Sequence, residues 1–363
     1  MLRSNSFWPA LLLVCAIAGC GGSGQPVTPI GPGTASSTSH TVTGPLVYFF
    51  NGYSIDVYAP PAGASTEAPI ATIAGSNTGL LGNTTGDYLP QGIAIDGSGQ
   101  IYVTTENNSV TVYSPNPVGS LNEAPLATIA GSNTGLDQPV ALALDPGGKI
   151  YVANQGNHSV TVYAAHPSGT MNETPLATIA GNNTGLAYAE GIALDGGGNI
   201  YVSNMDPAMA TAENEGSITV YAANPSGLMN EAPLATIFGS NTHMLTPGTV
   251  AVDGSGKIYV LNYYFGGGGC NVTIFAPNPR GSLNEAPLAN GFTTGLFQCA
   301  ALALDANGNI YVSGLPPQGA ADPNPHIGIF APYPSGESTA PLATLNTSGE
   351  GGIAVHSVLS PAP

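Results

Sequence analysis

Charge is what this sequence has least of. Of 363 residues, 4 are Lys or Arg and 21 are Asp or Glu, for a net charge of −17 and a charged fraction of 7%. Ordinary soluble domains carry about 25% charged residues. So few cations cannot neutralise a run of phosphates, which excludes a nucleic-acid partner. They also cannot form the polybasic cluster that draws a protein onto anionic lipid. Hydrophobic runs are short as well: residues 10–18 form the longest one at the N-terminus, well under the ~18 residues of a spanning helix. Trp is reduced to Trp8 and Cys to four. The six His, at 40, 158, 166, 243, 326 and 356, form no HExxH or His-x-His. There is no Gly-x-Ser-x-Gly elbow and no Gly-Lys-Ser/Thr phosphate loop. What the chain has in excess is Gly (50) and Pro (32). Their sum lies just below the ~25–30% at which a chain without a period reads as disordered, so the reading turns on whether a period exists.

The first twenty residues, MLRSNSFWPALLLVCAIAGC, have the layout of an export signal: basic Arg3, a short apolar run, then small residues. Ile17-Ala18-Gly19-Cys20 resembles the lipobox of bacterial lipoproteins, which implies cleavage after residue 19 and lipidation of Cys20. Gly21 carries no Asp retention signal, so the expected location is a bacterial cell envelope, at the outer membrane or cell surface. Residues 20–44 read as a Gly/Ser/Thr/Pro tether without apolar periodicity. Trp8 leaves with the signal, and the mature chain keeps three basic residues: Lys149, Lys257 and Arg280.

The body repeats. Ile-Tyr-Val recurs at 101–103, 150–152, 200–202, 258–260 and 310–312, each preceded by an Asp: Asp96, Asp145, Asp195, Asp253 and Asp305. Their spacings of 49, 50, 58 and 52 are those of a propeller blade. Each unit holds four short β signals, a to d, bounded by Gly, Asn and Pro; in one they are 92–96, 100–105, 109–115 and 125–131. The N-terminal stretches 46–51, 55–60 and 69–75 supply b, c and d of a unit that lacks a; residues 351–358 supply an a strand with nothing after it. Joined, they complete six four-stranded units. The expected fold is therefore all-β, a six-bladed β-propeller over 45–358 closed by pairing of the N- and C-terminal strands, with a tail at 359–363.

The unit Pro-x-Gly-Ile-Ala-x-Asp, Gly-x-Ile-Tyr-Val-x-Asn and Val-x-Val-Tyr resembles the NHL repeat. Where that family often has Asp after its b strand, this chain has Asn51, Asn154, Asn204 and Asn262, with Thr105 and Gly314 in the other units. Such propellers include binding modules, scaffolds and enzymes, so the fold does not choose among them.

A repeat allows scaffold to be subtracted. The five turn Asp cap their own turns, with a calcium ladder as the alternative; His356 stands in their place in the remaining unit. Glu67, Glu123, Glu173, Glu231 and Glu285 recur before the d strand. Eleven acids remain. Asp87, Asp137, Glu190 and Glu350 fall in d–a connections and Glu106, Asp206, Glu213, Glu215 and Asp322 in b–c loops, all on one face. Asp56 and Glu337 are the other two. The three basic residues fall on the opposite face. Ten of the 16 Tyr occupy repeat positions; of the rest, Tyr53, Tyr88, Tyr188, Tyr263 and Tyr264 join the acidic face and Tyr333 does not. From the b-strand Tyr to the c-strand aromatic the first three units take 10, 11 and 12 residues and the last three 20, 16 and 19, so one half of that face is walled.

The candidate ligand-binding residues are thus Glu190, Glu350, Asn154, Asn204, Asn262, Tyr188 and Tyr263. Two explanations stand at this stage: a site for a protein or a small neutral or cationic ligand, or loops that carry what strands cannot. The leading functional reading is an exported, lipid-anchored, monomeric binding or scaffold module without a cofactor. The alternative is a lactonase or lyase, similar to metal-dependent six-bladed propellers, with Ca²⁺ or another divalent metal held in the channel by Glu190, Asn154 and Asn204. A third is a surface-layer or adhesion element. Cys270 and Cys299, both on the acidic face, are expected to form a disulfide in an exported chain.

Overall fold

The computed structural model describes residues 44–59, 64–65, 68–80, 92–205, 216–244, 246–263, 269–317, 320, 323–332 and 340–357. The signal, Cys20 and the tether up to residue 43 lie outside them, as do the tail, Glu67, Asp87, Asp206, Glu213, Glu215, Asp322, Glu337, Tyr88, Tyr264, Tyr333 and most of the long b–c loops. Contacts divide the chain into residues 1–41 and 42–363; the second unit is the one described.

It is a six-bladed β-propeller. Blade 2 shows the plan: a (Ile93–Ile95), b (Ile101–Thr105), c (Ser109–Tyr113) and d (Ala127–Ala130) form an antiparallel meander. The b and c strands are buried on both faces because each blade is stacked between two others. The apolar clusters accordingly span neighbouring blades, such as Tyr151, Val160 and Val162 with Ile192, Ile200 and Tyr221, and each Ile or Val so buried contributes about 1.5–3 kcal/mol.

Blade 1 is closed by the two chain ends, as expected. Its b strand, Pro45–Phe50, pairs antiparallel along its length with Gly352–Ser357. A polar lock reinforces the seam: the buried Asp56 carboxylate accepts from Ser348 Oγ at 2.8 Å and from Thr72 Oγ1 at 2.7 Å, and Asn51 Nδ2 donates to Ser348 Oγ at 3.0 Å.

The blades are not simply four-stranded. A short piece of five of the c–d connections leaves its own blade and adds, parallel, to the d strand of the blade before it. Gly119–Leu121 joins blade 1, Gly169–Met171 blade 2, Gly227–Met229 blade 3, Gly281–Leu283 blade 4 and Ala64–Ser65 blade 6. Blade 5 has four strands among the described residues. The physical reason is the outer edge: a d strand left bare would present unpaired N–H and C=O groups. An Asn clasp follows four of the five added strands. Asn172 Oδ1 accepts from Asn133 N at 2.9 Å, and Asn122, Asn230 and Asn284 do the same for Asn77, Asn183 and Asn241.

The turn Asp are scaffold. In blade 4, Asp195 Oδ1 accepts from Gly197 N and Asn199 N while Oδ2 accepts from the b-strand Tyr201 hydroxyl at 3.1 Å. Burial pushes such carboxyls up, but these hydrogen bonds outweigh it and hold Asp96, Asp195 and Asp253 below the usual range.

Candidate functional site

Strand a is the innermost strand of each blade, and four of the six begin with a bulge. In blade 4, Ala189 pairs with Asn204 and Gly191 with Ser203, so Glu190 has no ladder partner. A bulge of this kind re-aims a side chain. Glu190 Oε1 accepts from Gln155 Nε2, which stands just after the b strand of blade 3. Burial pushes the Glu190 carboxyl up to about 7, with the Gln155 hydrogen bond opposing.

Tyr263 comes to the same place from blade 5. Its N–H donates to Thr246 O at 3.0 Å and its hydroxyl to Ala300 O of blade 6 at 3.1 Å. The ring lies against Gly248: a Cβ there would be 2.2 Å from the Tyr263 hydroxyl, so only Gly leaves room for it. Ser203 Oγ donates to Gly248 O, tying blade 4 to blade 5 beneath. Burial pushes the Tyr263 phenol up, and the charges of Glu190 and, more weakly, Glu350 push it further. Glu350 is exposed, and its carboxyl is also raised by loss of solvent. Glu190, Gln155, Tyr263 and Glu350 thus belong to one electrostatic neighbourhood. No Lys or Arg is hydrogen-bonded to any of them among the described residues.

The Asn candidates are placed differently. Asn154, Asn204 and Asn262 are fully buried. Asn154 Nδ2 donates to Thr161 Oγ1 at 3.0 Å and its Oδ1 accepts from Asp137 N at 3.2 Å; Asn204 repeats this with Thr219 and Ala187 N. Asn262 Nδ2 donates to Thr273 Oγ1, while its Oδ1 has no partner among the described residues. The amides of Asn154 and Asn204 therefore hold d–a loops onto b and c strands, and the oxygens that a metal would need already accept N–H donors. Among the described residues no group of three or more His, Cys, Asp or Glu is placed to hold a metal.

Tyr188 lies on the same face but is turned outward, 42% exposed, at φ +44°. Its ring packs 4.7 Å from His158, whose Nδ1 accepts from Tyr188 N at 3.0 Å. Cys270 and Cys299 are joined, with Cα atoms 6.1 Å apart, linking the start of strand c in blade 5 to strand a of blade 6. Of the other acids on this face, Glu106 is partly exposed and raised by burial.

Gln155 was not among the sequence candidates. Its signal lay one column beyond the Asn column: the residue after strand b is Gly52, Glu106, Gln155, Met205, Tyr263 or Leu315. That is a position at which the repeat ceases to repeat.

The NHL repeat family matches residues 136–163, which contain strands a, b and c of blade 3. No curated protein matches the chain. Among solved structures, hydrazine synthase of Kuenenia stuttgartiensis is similar at 15% identity and TM-score 0.45, over 68% of this chain and 66% of that one. The PQQ-bound aldose sugar dehydrogenase of Streptomyces coelicolor is similar at 17% identity and TM-score 0.46, over 78% and 85%. The strands spanned by the family match have counterparts in all six blades: the chain is a six-bladed β-propeller whose third blade matches the NHL repeat.

Proposed function

We propose that this protein is an exported, lipid-anchored binding module of a bacterial envelope, monomeric, held by an acyl group on Cys20. Its ligand site is the channel mouth on the b–c/d–a face. One observation carries the reading: Glu190, Gln155, Tyr263 and Glu350 depart from the repeat and converge, with raised carboxyls and no Lys or Arg hydrogen-bonded to them among the described residues. A desolvated carboxylate is stabilised by an opposite charge or by hydrogen-bond donors. The ligand is therefore cationic or rich in hydroxyl or amide donors, and a small molecule or a side chain of a partner protein can supply either.

The test is thermal melting of the wild type and Glu190→Gln at pH 8 with a panel of primary amines, quaternary amines, polyols and sugars. A ligand at a hundred times its Kd stabilises by about 2.7 kcal/mol. The expected result is a compound that raises the wild-type midpoint and leaves Glu190→Gln unmoved. Equal shifts in both proteins for every active compound, or no shift in either, would overturn the reading.

A further inference from the structure

The face opposite the candidate site shows a second departure from an ordinary surface. Just before each d strand stands a large apolar residue in the open: Ile70, Leu126, Leu176, Leu234, Leu288 and Leu342, each between 39% and 62% exposed. One comes from every blade, so they form a ring on the a–b/c–d rim. Val118 and Leu228, in c–d connections, are more exposed still, at 79% and 78%. Among the described residues, the large apolar residues in the open on the other side are Tyr53, Tyr188 and Phe238. A repeated exposed apolar position marks an interaction surface rather than scatter.

Two further observations fall on the same rim. Lys149 and Lys257 lie in a–b turns and Arg280 in a c–d connection, so every cation of the mature chain is there. The chain also enters the propeller there: strand b of blade 1 begins at Pro45, opposite Ser357 at the end of strand a. The described chain thus begins at the apolar rim and not at the acidic mouth. The rim also bears acids, which decide the lipid. The turn Asp are engaged by their own turn amides, but Glu123, Glu173, Glu231 and Glu285 are exposed and would be repelled by anionic headgroups.

We propose that the a–b/c–d rim rests on a zwitterionic lipid surface, with its Leu ring at the headgroup level, so that the Glu190 mouth opens away from the membrane. This rests on the lipid-anchor reading above, and it adds the side from which a ligand must arrive. Interfacial seating of this kind combines a covalent chain with a modest apolar contact, neither of which holds a protein firmly alone.

The mature chain has no Trp, which makes the test clean. Single-Trp variants Leu176→Trp and Leu342→Trp report on the rim, and Asn107→Trp, in an exposed b–c loop, reports on the mouth face. The full chain, matured in a bacterial envelope, is placed in phosphatidylcholine vesicles with and without bromine on the acyl chains. The expected result is at least a twofold loss of emission at both rim positions and none at Asn107→Trp. Quenching at Asn107→Trp, or no quenching at any position in vesicle-bound protein, overturns the seating. The mass of the N-terminal fragment tests the anchor separately. An acylated Cys20 with unquenched rim positions leaves the anchor and removes the seating. An unmodified Cys20 removes the anchor, and if rim quenching is then lost the seating falls with it.

Discussion

Tyr48 offers a sharp test of how the ring is closed. In the other five blades the b-strand Tyr hydroxyl meets the turn Asp of its own blade, as Tyr201 meets Asp195 at 3.1 Å and Tyr259 meets Asp253 at 3.1 Å. In blade 1 strands a and b come from opposite ends of the chain, so there is no a–b turn to cap and no need for Asp. His356 stands there instead, with burial pushing its pKa down and the charge of Asp96 opposing. The consequence falls on Tyr48, which is fully buried with a hydroxyl that has no partner among the described residues. An unsatisfied buried hydroxyl costs about 1–3 kcal/mol, whereas a hydrogen bond to a charged group contributes about 1.5–3 kcal/mol. Tyr48→Phe is therefore expected to stabilise the protein by about 1 kcal/mol and Tyr201→Phe to destabilise it by about 2 kcal/mol. These are the same chemical deletion with opposite signs. Urea unfolding followed by far-UV circular dichroism at pH 7 reads both from the shift in midpoint at constant slope. If Tyr48→Phe destabilises as much as Tyr201→Phe does, the reasoning fails.

Other outcomes follow from the same geometry. Glu190 is raised from 4.5 to about 7, so the folded state favours its neutral form. Its full contribution is present below pH 4.5 and is lost as pH rises to about 7, a loss of up to ~3 kcal/mol at ~1.36 kcal/mol per pKa unit. Glu190→Gln should therefore match the wild type at pH 4 and exceed it at pH 8, and a gap that does not change with pH would contradict this. The Cys270–Cys299 bond closes a separation of 29 residues, so its reduction should lower stability by about 3–4 kcal/mol on the chain-entropy account, read by denaturant titration with and without reductant. Gly131 has φ +116°, and a Cβ there would be 2.4 Å from the Asn172 side chain. Gly131→Ala should cost about 2 kcal/mol or more in the wild type and less in an Asn172→Ala background, a non-additivity that a double-mutant cycle measures.

Most of the scaffold was legible in the sequence because its causes are local and repeated. Asp96 and its four counterparts announce a turn, Ile-Tyr-Val a doubly buried strand, and the unmatched b-c-d and a segments at the two ends a closed ring. The added parallel strands were not legible. Gly119–Leu121 is three residues long, two of them exposed, and its partner lies in another blade, so no local pattern betrays it. The candidate site divides the same way. Glu190 and Glu350 stood out as acids that no repeat explains, and Tyr263 as a Tyr outside the repeat columns. The Asn column looked like a set of ligands because amides suit that role, yet the groups that engage Asn154 and Asn204 are backbone N–H donors of loops, which carry no side-chain signature. Gln155 was missed because its meaning depends on Glu190 across a blade seam.

The central claim is that the mouth of the channel holds a carboxyl shielded from water, with no Lys or Arg bonded to it among the described residues. Carbon NMR of the protein with labelled glutamate carboxyls, assigned by comparison with Glu190→Gln, measures that directly without a ligand. The account predicts that the Glu190 signal titrates near pH 7. Titration at the ordinary value of 4.5 would show the carboxyl to be solvated like any surface glutamate and would contradict it.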